Sequence, residues 1–239
     1  MRACEIEKKQ LTMRVRLEFI DDLLGTASGD PDIHGTYVAG KINDAKKAKE
    51  VIASLSEEER DRRVQEEVEA VKRLDIDTEL QKGKTVFPRN ADGEPILWAY
   101  QIKGFFKSAC SACQKIPGSA SSAVKAYKKK IDLGVFVFPD VNDITSREIV
   151  IHTDKPVGDC QRPLRAQTAQ GERVAISDSE SIAKGAWIEF YVTSLAGEKD
   201  REIIEEWLDY GRYNGIGGWR NSSKGSFLWD YVDEDEAES

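Results

Sequence analysis

No run of eighteen or more apolar residues occurs in this chain, and its opening, MRACEIEKKQ, has no apolar stretch of the kind a secretion signal needs. A soluble protein without a membrane partner is expected. Cysteine is scarce: Cys4, Cys110, Cys113 and Cys160 are too few and too scattered for a disulfide framework, so a reducing, cytoplasmic setting is expected. Cys110 and Cys113 form one CxxC with no second pair and no histidine close in sequence. That argues for structural cysteines on one helix face rather than for zinc, and neither a metal nor a cofactor is expected. The two histidines, His34 and His152, stand in no triad or metal-ligand spacing. Acidic residues are missing from Pro95 to Ile131, where seven lysines fall, and again from Gly211 to Trp229, which holds Arg212, Arg220 and Lys224.

Those gaps change the meaning of the net charge of −8. Residues 230–239 carry six acids and no base, so the rest of the chain stands near −2. Three segments are basic or poor in acid: Lys103 to Lys130, Arg162 to Arg173, and Gly211 to Lys224. Brought together in space they would form a track for phosphates; kept apart they are solvated faces. The end, DEDEAES at 233–239, reads as an acidic disordered tail.

Glycine is concentrated near the C-terminus, in GRYNGIGGWRNSSKGSF. Glycines admit positive φ and let another chain approach closely, because no Cβ stands in the way. Gly215, Gly217 and Gly218 then offer backbone N–H groups, Arg220 and Lys224 supply charge, Trp219 supplies a stacking surface and Asn221 a donor. The other reading is a glycine-rich helix-to-strand turn around a buried tryptophan.

Periodicity outlines the rest. Leu11, Met13, Val15, Leu17 and Phe19 alternate as in a half-buried strand. Residues 42–73 are rich in charge and helix formers, which predicts an acidic, exposed pair of helices within an insertion over 42–80. Asp92–Gly93 marks a hairpin turn in TVFPRNADGEPILWAY. QIKGFFKSACSACQ puts Ile102, Phe105, Phe106, Ala109 and Cys113 on one helical face, with Lys103 and Lys107 one turn apart on another. Residues 132–157 give two short strands around a polar turn, residues 171–195 a short strand and a longer one, and EKDREIIEEWLDYGRY an amphipathic helix facing inward through Ile203, Ile204, Trp207 and Leu208. SFLWDYV closes as a strand. Without its insertions the order approaches βαββαβ. The expected fold class is α+β: a ferredoxin-like (RRM-like) antiparallel sheet with two helices, plus the helical insertion and a projecting hairpin, as one domain over 1–232.

Four stretches together resemble the RAMP superfamily of CRISPR-associated proteins, and in particular the repeated backbone subunits of type III effector complexes. LEFIDDLLGTASGD is similar to the family's opening strand with its leucine pair and glycine-containing loop. PILWAYQIKGFFKSA is similar to the segment entering the first helix, with Lys103 and Gly104 as its most characteristic pair. RPLRAQTAQGERVAISDSESIAKGAWIEFYV resembles the Arg-containing loop that leads to a small-residue–glycine pair, here Lys184 and Gly185. GIGGWRNSSKGSF resembles the terminal glycine-rich loop. Ser223 stands where the family often has another glycine, and the acidic insertion and tail depart from its pattern.

The resemblance implies a bacterial, self-assembling subunit that binds single-stranded RNA, with homo-oligomers or related effector subunits as partners. Carried onto this sequence, Lys103 and Lys107 would contact phosphates, Arg162 and Arg165 a second set, the 215–224 loop a third, and 132–157 would be the projecting hairpin. Asp30 and Asp32 lie in the loop where some relatives cut RNA with Mg2+, although aspartate beside glycine and proline is ordinary turn chemistry. A phage or prophage origin is the other expectation. With it come two further readings: an anti-defence protein that antagonises a CRISPR complex, and a pocket for a nucleotide signal.

Overall fold

The computed structural model describes residues 9–29, 84–168 and 171–232, with the backbone alone for 164–168 and 171–176. Asp30, Asp32, the insertion at 42–80 and the tail at 233–239 lie outside these residues. The chain divides into two compact units, one formed by Met1–Leu23, Ile96–Pro156 and Ile182–Ser239, the other by Leu24–Pro95 and Val157–Ser181.

In the first unit, β1 (Leu11–Phe19) has the expected alternation: Leu11, Met13, Val15, Leu17 and Phe19 are all buried and the residues between them face outward. A strand covered on one face only needs that period, because successive side chains point to opposite faces. β1 pairs antiparallel with β10 (Trp187–Ser194) on one side and β11 (Phe227–Tyr231) on the other, and β6 (Val135–Phe138) pairs antiparallel with β10. The sheet order is therefore β11-β1-β10-β6, and the short β2 (Leu23–Leu24) follows β1 in the chain.

Helix α1 (Ala99–Cys113) follows a tight start in which the Gln101 side chain accepts the Trp98 N–H at 2.7 Å. Its buried face is Ile102, Phe105, Phe106, Ala109, Cys110 and Cys113, near the face expected from sequence. Phe105 meets Phe227 edge-on at 5.1 Å between ring centres, and Phe106 packs on Trp207 of α3 (Arg201–Tyr210) at 5.5 Å, so both helices press on the apolar side of the sheet. Trp207 is fully buried, and its indole N–H is satisfied by the Ser121 hydroxyl at 2.9 Å. Ile204 and Leu208 are buried beside it, whereas Ile203 is only half-buried. A short third helix, α2 (Tyr127–Gly134), runs directly into β6.

One expectation is corrected here. Residues 132–157 do not form a hairpin of two mutually paired strands. β6 joins the main sheet, while β7 (Glu148–Val150) pairs with β5 (Ile96–Trp98) in a separate two-stranded sheet. The apolar residues of β6 are drawn to β10, and the turn between β6 and β7 is closed locally by Asp140 and by Asp143, which accepts from the Thr145 N–H at 3.0 Å.

The long hairpin of this chain lies instead in the second unit, where β8 (Gly158–Thr168) and β9 (Gly171–Ile182) pair in register from Gly158 opposite Ser181 to Thr168 opposite Gly171. β9 also runs parallel to β4 (Thr85–Val86), whose other neighbour is β3 (Ala27–Ser28). Gly25 has to be glycine, since a Cβ there would lie 2.5 Å from the Val86 carbonyl carbon. Glu180 ties the strands by accepting the Phe87 N–H at 2.8 Å and the Arg89 guanidinium at 3.1 Å.

Candidate nucleic-acid interface

Antiparallel pairing brings the exit of β1 and the entries of β10 and β11 to the same end of the sheet. Three of the four motif-bearing stretches meet there. Gly185 N–H donates to Phe19 O at 2.8 Å, Ile20 N–H to Ser226 O at 2.9 Å and Gly225 N–H to Asp22 O at 2.8 Å. Lys184 N–H donates to the Asp22 carboxylate at 3.2 Å.

The glycine-rich loop crosses itself at this end. A Cβ on Gly215 would lie 1.8 Å from Gly225 O, and a Cβ on Gly225, at φ +70°, would lie 1.8 Å from Ile216 O. Ile216 N–H donates to Gly225 O at 3.0 Å across the crossing. Gly211, just after α3, faces the Phe227 ring, which a Cβ would meet at 2.2 Å. Gly217 has φ +89°, and Gly218 is half-buried.

Beyond the crossing, Trp219 at φ +53° and Ser223 at φ +62° both adopt the left-handed conformation. A glycine would hold the Ser223 conformation without the crowding of a Cβ. Ser223→Gly is expected to stabilise the protein by roughly 1 kcal/mol, the cost of a left-handed L-residue less the added entropy of an unfolded glycine. A lower urea midpoint for this variant would contradict that assignment.

The loop also fixes its charges. Lys224 bonds to Asp21 at 2.9 Å and to Asp22 at 2.8 Å. The bond from Lys224 holds the Asp22 carboxyl below its usual range. Partial burial works against the Lys224 ammonium, but its bonds to Asp22 and Asp21 outweigh that and raise its pKa. Lys224 is therefore neutralised by the β1 exit and works as a clamp. Trp219 is 40% exposed, and Arg220 and Asn221 are exposed beside it, with no ion pair to Arg220 among the described residues.

Lys103 and Lys107 sit elsewhere on the same unit. Lys107 pairs with Asp132 at 2.5 Å, and Lys103 donates to the Asp132 carbonyl at 3.1 Å and lies over the Phe136 ring at 5.4 Å. Burial drives the Lys103 pKa down to about 8, with Asp132 opposing and Lys107 and Arg147 adding to the fall. No hydrogen bond among the described residues joins either lysine to the glycine-rich loop.

A consequence follows for pH. The folded pKa of Lys103 lies below that of the unfolded chain, so the stability it withholds returns as pH rises from about 8 toward the ordinary lysine value of 10.5 and is lost again as pH falls. Lys103→Met is expected to remove that alkaline rise and to stabilise the protein at pH 7 by roughly 1 kcal/mol, since a half-buried charge gives way to an apolar chain of similar length. Urea unfolding across this pH range tests it, and an unchanged rise in the variant would contradict it.

Arg162 lies half-buried on β8 opposite Ser177, in the second unit, and Arg165 lies further along β8 opposite Val174. Cys110 and Cys113 are buried on α1, and burial pushes the Cys113 thiol up to about 11, as suits inert packing thiols. Among the described residues no group of three His, Cys, Asp or Glu side chains is arranged to hold a metal, and no helix is long and apolar enough to cross a membrane.

The outer face of the four-stranded sheet carries residues that sequence reading treated only as strand alternation. Trp187 is stacked by His152 at 3.9 Å and by the Arg16 guanidinium at 4.4 Å from its ring centre. Four residues along the strand, Tyr191 stacks on Phe138 at 6.1 Å and takes Arg14 at 5.9 Å. Glu189, between them, accepts from Arg14 at 2.9 Å and Arg16 at 2.7 Å. The rings and guanidiniums satisfy one another across strands, so the stacking faces of Trp187 and Tyr191 are already occupied. Trp219, on the loop, is exposed and lies apart from these stacks.

No protein-family model matches this chain, and no curated protein does. Among solved structures, it is similar to a chain in the cryo-EM structure of the type III-B Cmr-beta complex bound to cognate target RNA, with a TM-score of 0.44 and 11% identity. The match covers 95% of this chain and 61% of that one, so this chain spans about three-fifths of the length of its structural neighbour.

Proposed function

We propose that this chain is a RAMP-like subunit that holds single-stranded RNA at the glycine-rich end of its four-stranded sheet. Trp219 would stack on a base, and Arg220 and Asn221 would meet the adjoining backbone. The observation that carries this reading is the loop itself: the Gly215–Gly225 crossing and the clamp of Lys224 between Asp21 and Asp22 hold an exposed tryptophan and an exposed arginine side by side. A fixed aromatic beside a cation suits single strands, because every base has a face to stack and every step a phosphate to pair.

The strand order β11-β1-β10-β6, with α1 between β1 and β6 and α3 between β10 and β11, supports the ferredoxin-like assignment within this reading. Gly215, Gly217 and Gly218 build the loop, while Lys103, Lys107 and Lys224 act mainly through the groups they already touch. Arg162 and Arg165 would form a separate phosphate-contacting set on the second unit. Assembly with further copies or with related effector subunits belongs to the same proposal. Titration of labelled single-stranded RNA at several salt concentrations tests it: the intact protein should bind with an affinity that falls as salt rises, and no binding at low salt would sink the reading.

A further inference from the structure

Five of the described lysines are half-buried: Lys84, Lys103, Lys107, Lys130 and Lys224. Four of them hold a carboxylate, Lys84 that of Asp159, Lys107 that of Asp132, Lys130 that of Asp200, and Lys224 those of Asp21 and Asp22. Lys103 is the exception. Its Nζ donates to the Asp132 backbone carbonyl at 3.1 Å and lies 5.4 Å from the centre of the Phe136 ring, while the Asp132 carboxylate is bonded to Lys107. A carbonyl and a ring hold an ammonium less firmly than a carboxylate does, and the carbonyl needs only one N–H. The charged groups facing Lys103 are Asp132 on α2, Lys107 on its own helix and Arg147 just before β7. Burial is the largest influence, and with Lys107 and Arg147 it outweighs Asp132 and brings the amine to a pKa of about 8.

A neutral amine offers its lone pair to a carbonyl carbon, and a desolvated lysine is the usual source of one. At pH 7.5 about a quarter of such an amine is neutral, against about a thousandth of an ordinary lysine. We propose that Lys103 is a modification site, the amine of this protein that takes up an activated acyl group from an acyl phosphate or an acyl thioester. In that step Nζ bonds to the acyl carbon. The bond from that carbon to the phosphate oxygen or thiolate sulfur breaks, its electron pair leaves with the phosphate or thiolate, and the nitrogen releases one proton to solvent. The resulting amide suits the place, because it keeps one N–H for the Asp132 carbonyl and removes the charge that burial opposes. At the other four half-buried lysines the same step would strip a carboxylate of its cation. The next residue, Gly104, is exposed and has no side chain to shield the helix beside Lys103. The site lies on α1 and does not depend on the RNA-binding reading.

Two measurements on the full-length protein test it. In the first, acetyl phosphate and the thioester N,S-diacetylcysteamine are supplied separately, and acetylation of each lysine is followed by peptide mass spectrometry. At pH 7.5 Lys103 should be acetylated on the order of tenfold faster than the exposed Lys115 and Lys125, the larger neutral fraction being partly offset by the weaker nucleophile. Its rate should level off above pH 9, whereas theirs should climb toward pH 10.5, and the preference should vanish in urea. The donor that shows the preference identifies the source of the acyl group. A Lys103 no faster than Lys115 with either donor would overturn the proposal, as would a rate that keeps climbing past pH 9 or a preference that persists in urea.

The second measurement is the stability of a chain carrying N-acetyl-lysine in place of Lys103. Its urea midpoint at pH 7 should rise, as for Lys103→Met, and its alkaline rise should disappear. A lowered midpoint would mean that the amide does not fit beside Asp132 and Phe136, and would overturn the proposal. Neither readout involves RNA or Trp219, so these outcomes are separable from a failure of the RNA-binding reading.

Discussion

Gly215→Ala is expected to lower the unfolding free energy by about 3 kcal/mol and the thermal midpoint by roughly 10 °C. The new Cβ would stand 1.8 Å from Gly225 O and 2.0 Å from the Gly225 carbonyl carbon, so it meets backbone and not the movable end of a side chain. Gly225 has little room to yield. Its own N–H is bound to Asp22 O at 2.8 Å, and its φ of +70° already belongs to glycine. The crossing must therefore open, which breaks the Ile216–Gly225 and Gly225–Asp22 bonds and loosens the Lys224 clamp. Each buried backbone bond left unmade costs about 1 kcal/mol or more, and the exposure of Ile216 adds to that. Urea unfolding and thermal melts of the variant measure it. A midpoint within experimental scatter of the unaltered protein would mean that the two loop arms do not cross as described.

This crossing also shows what the sequence could and could not disclose. The density of glycines was legible, and so was the need for close backbone approach. Which glycines meet was not, because Gly215 contacts a residue ten positions away only after Ser223 and Trp219 turn the chain left-handed. The main sheet was largely legible. β1, α1 and α3 carry strong period-two or helical patterns, since each buries a single face. The hairpin misplaced to 132–157 failed for the opposite reason: short apolar strands such as β6 and β7 carry no mark of which partner they will take. The long β8–β9 hairpin, with polar residues such as Gln161, Ser177 and Asp178 along it, offers no apolar stripe from which to read its extent.

Charge was the least legible property. Lys103, Lys107 and Lys224 read as available cations because the stretches around them lack acids. Their partners come from far along the chain: Asp132 is 29 positions from Lys103, and Asp22 is 202 positions from Lys224. A local count of acids cannot register such pairs. Arg220, by contrast, is exposed and has no ion pair among the described residues. Within the candidate interface, the sequence pointed to the loop and its tryptophan but could not tell that Lys224 is paired and that Arg220, among the described residues, is not.

That distinction sets the expected result for RNA. Trp219→Ala together with Arg220→Ala should weaken binding of single-stranded RNA about a hundredfold at moderate salt, which is roughly 2.7 kcal/mol. Loss of one base stack accounts for about 1–3 kcal/mol of this and should leave the salt dependence unchanged, because stacking releases no counterions. Loss of Arg220 should flatten the plot of log affinity against log salt by about 0.7, the value for one single-strand phosphate. The single variants separate these two contributions.

Lys224→Met is the informative comparison. Its ammonium is already neutralised by Asp21 and Asp22, so the substitution should lower the melting temperature while leaving the salt slope within error of the unaltered protein. If Lys224→Met flattens the slope and Arg220→Ala does not, the phosphates run through the clamp and not past the tryptophan. If neither changes it and Trp219→Ala binds normally, the glycine-rich end does not hold RNA, and its exposed side chains serve another contact. The loop's backbone geometry would stand in each case, since it rests on Gly215, Gly225 and the clamp.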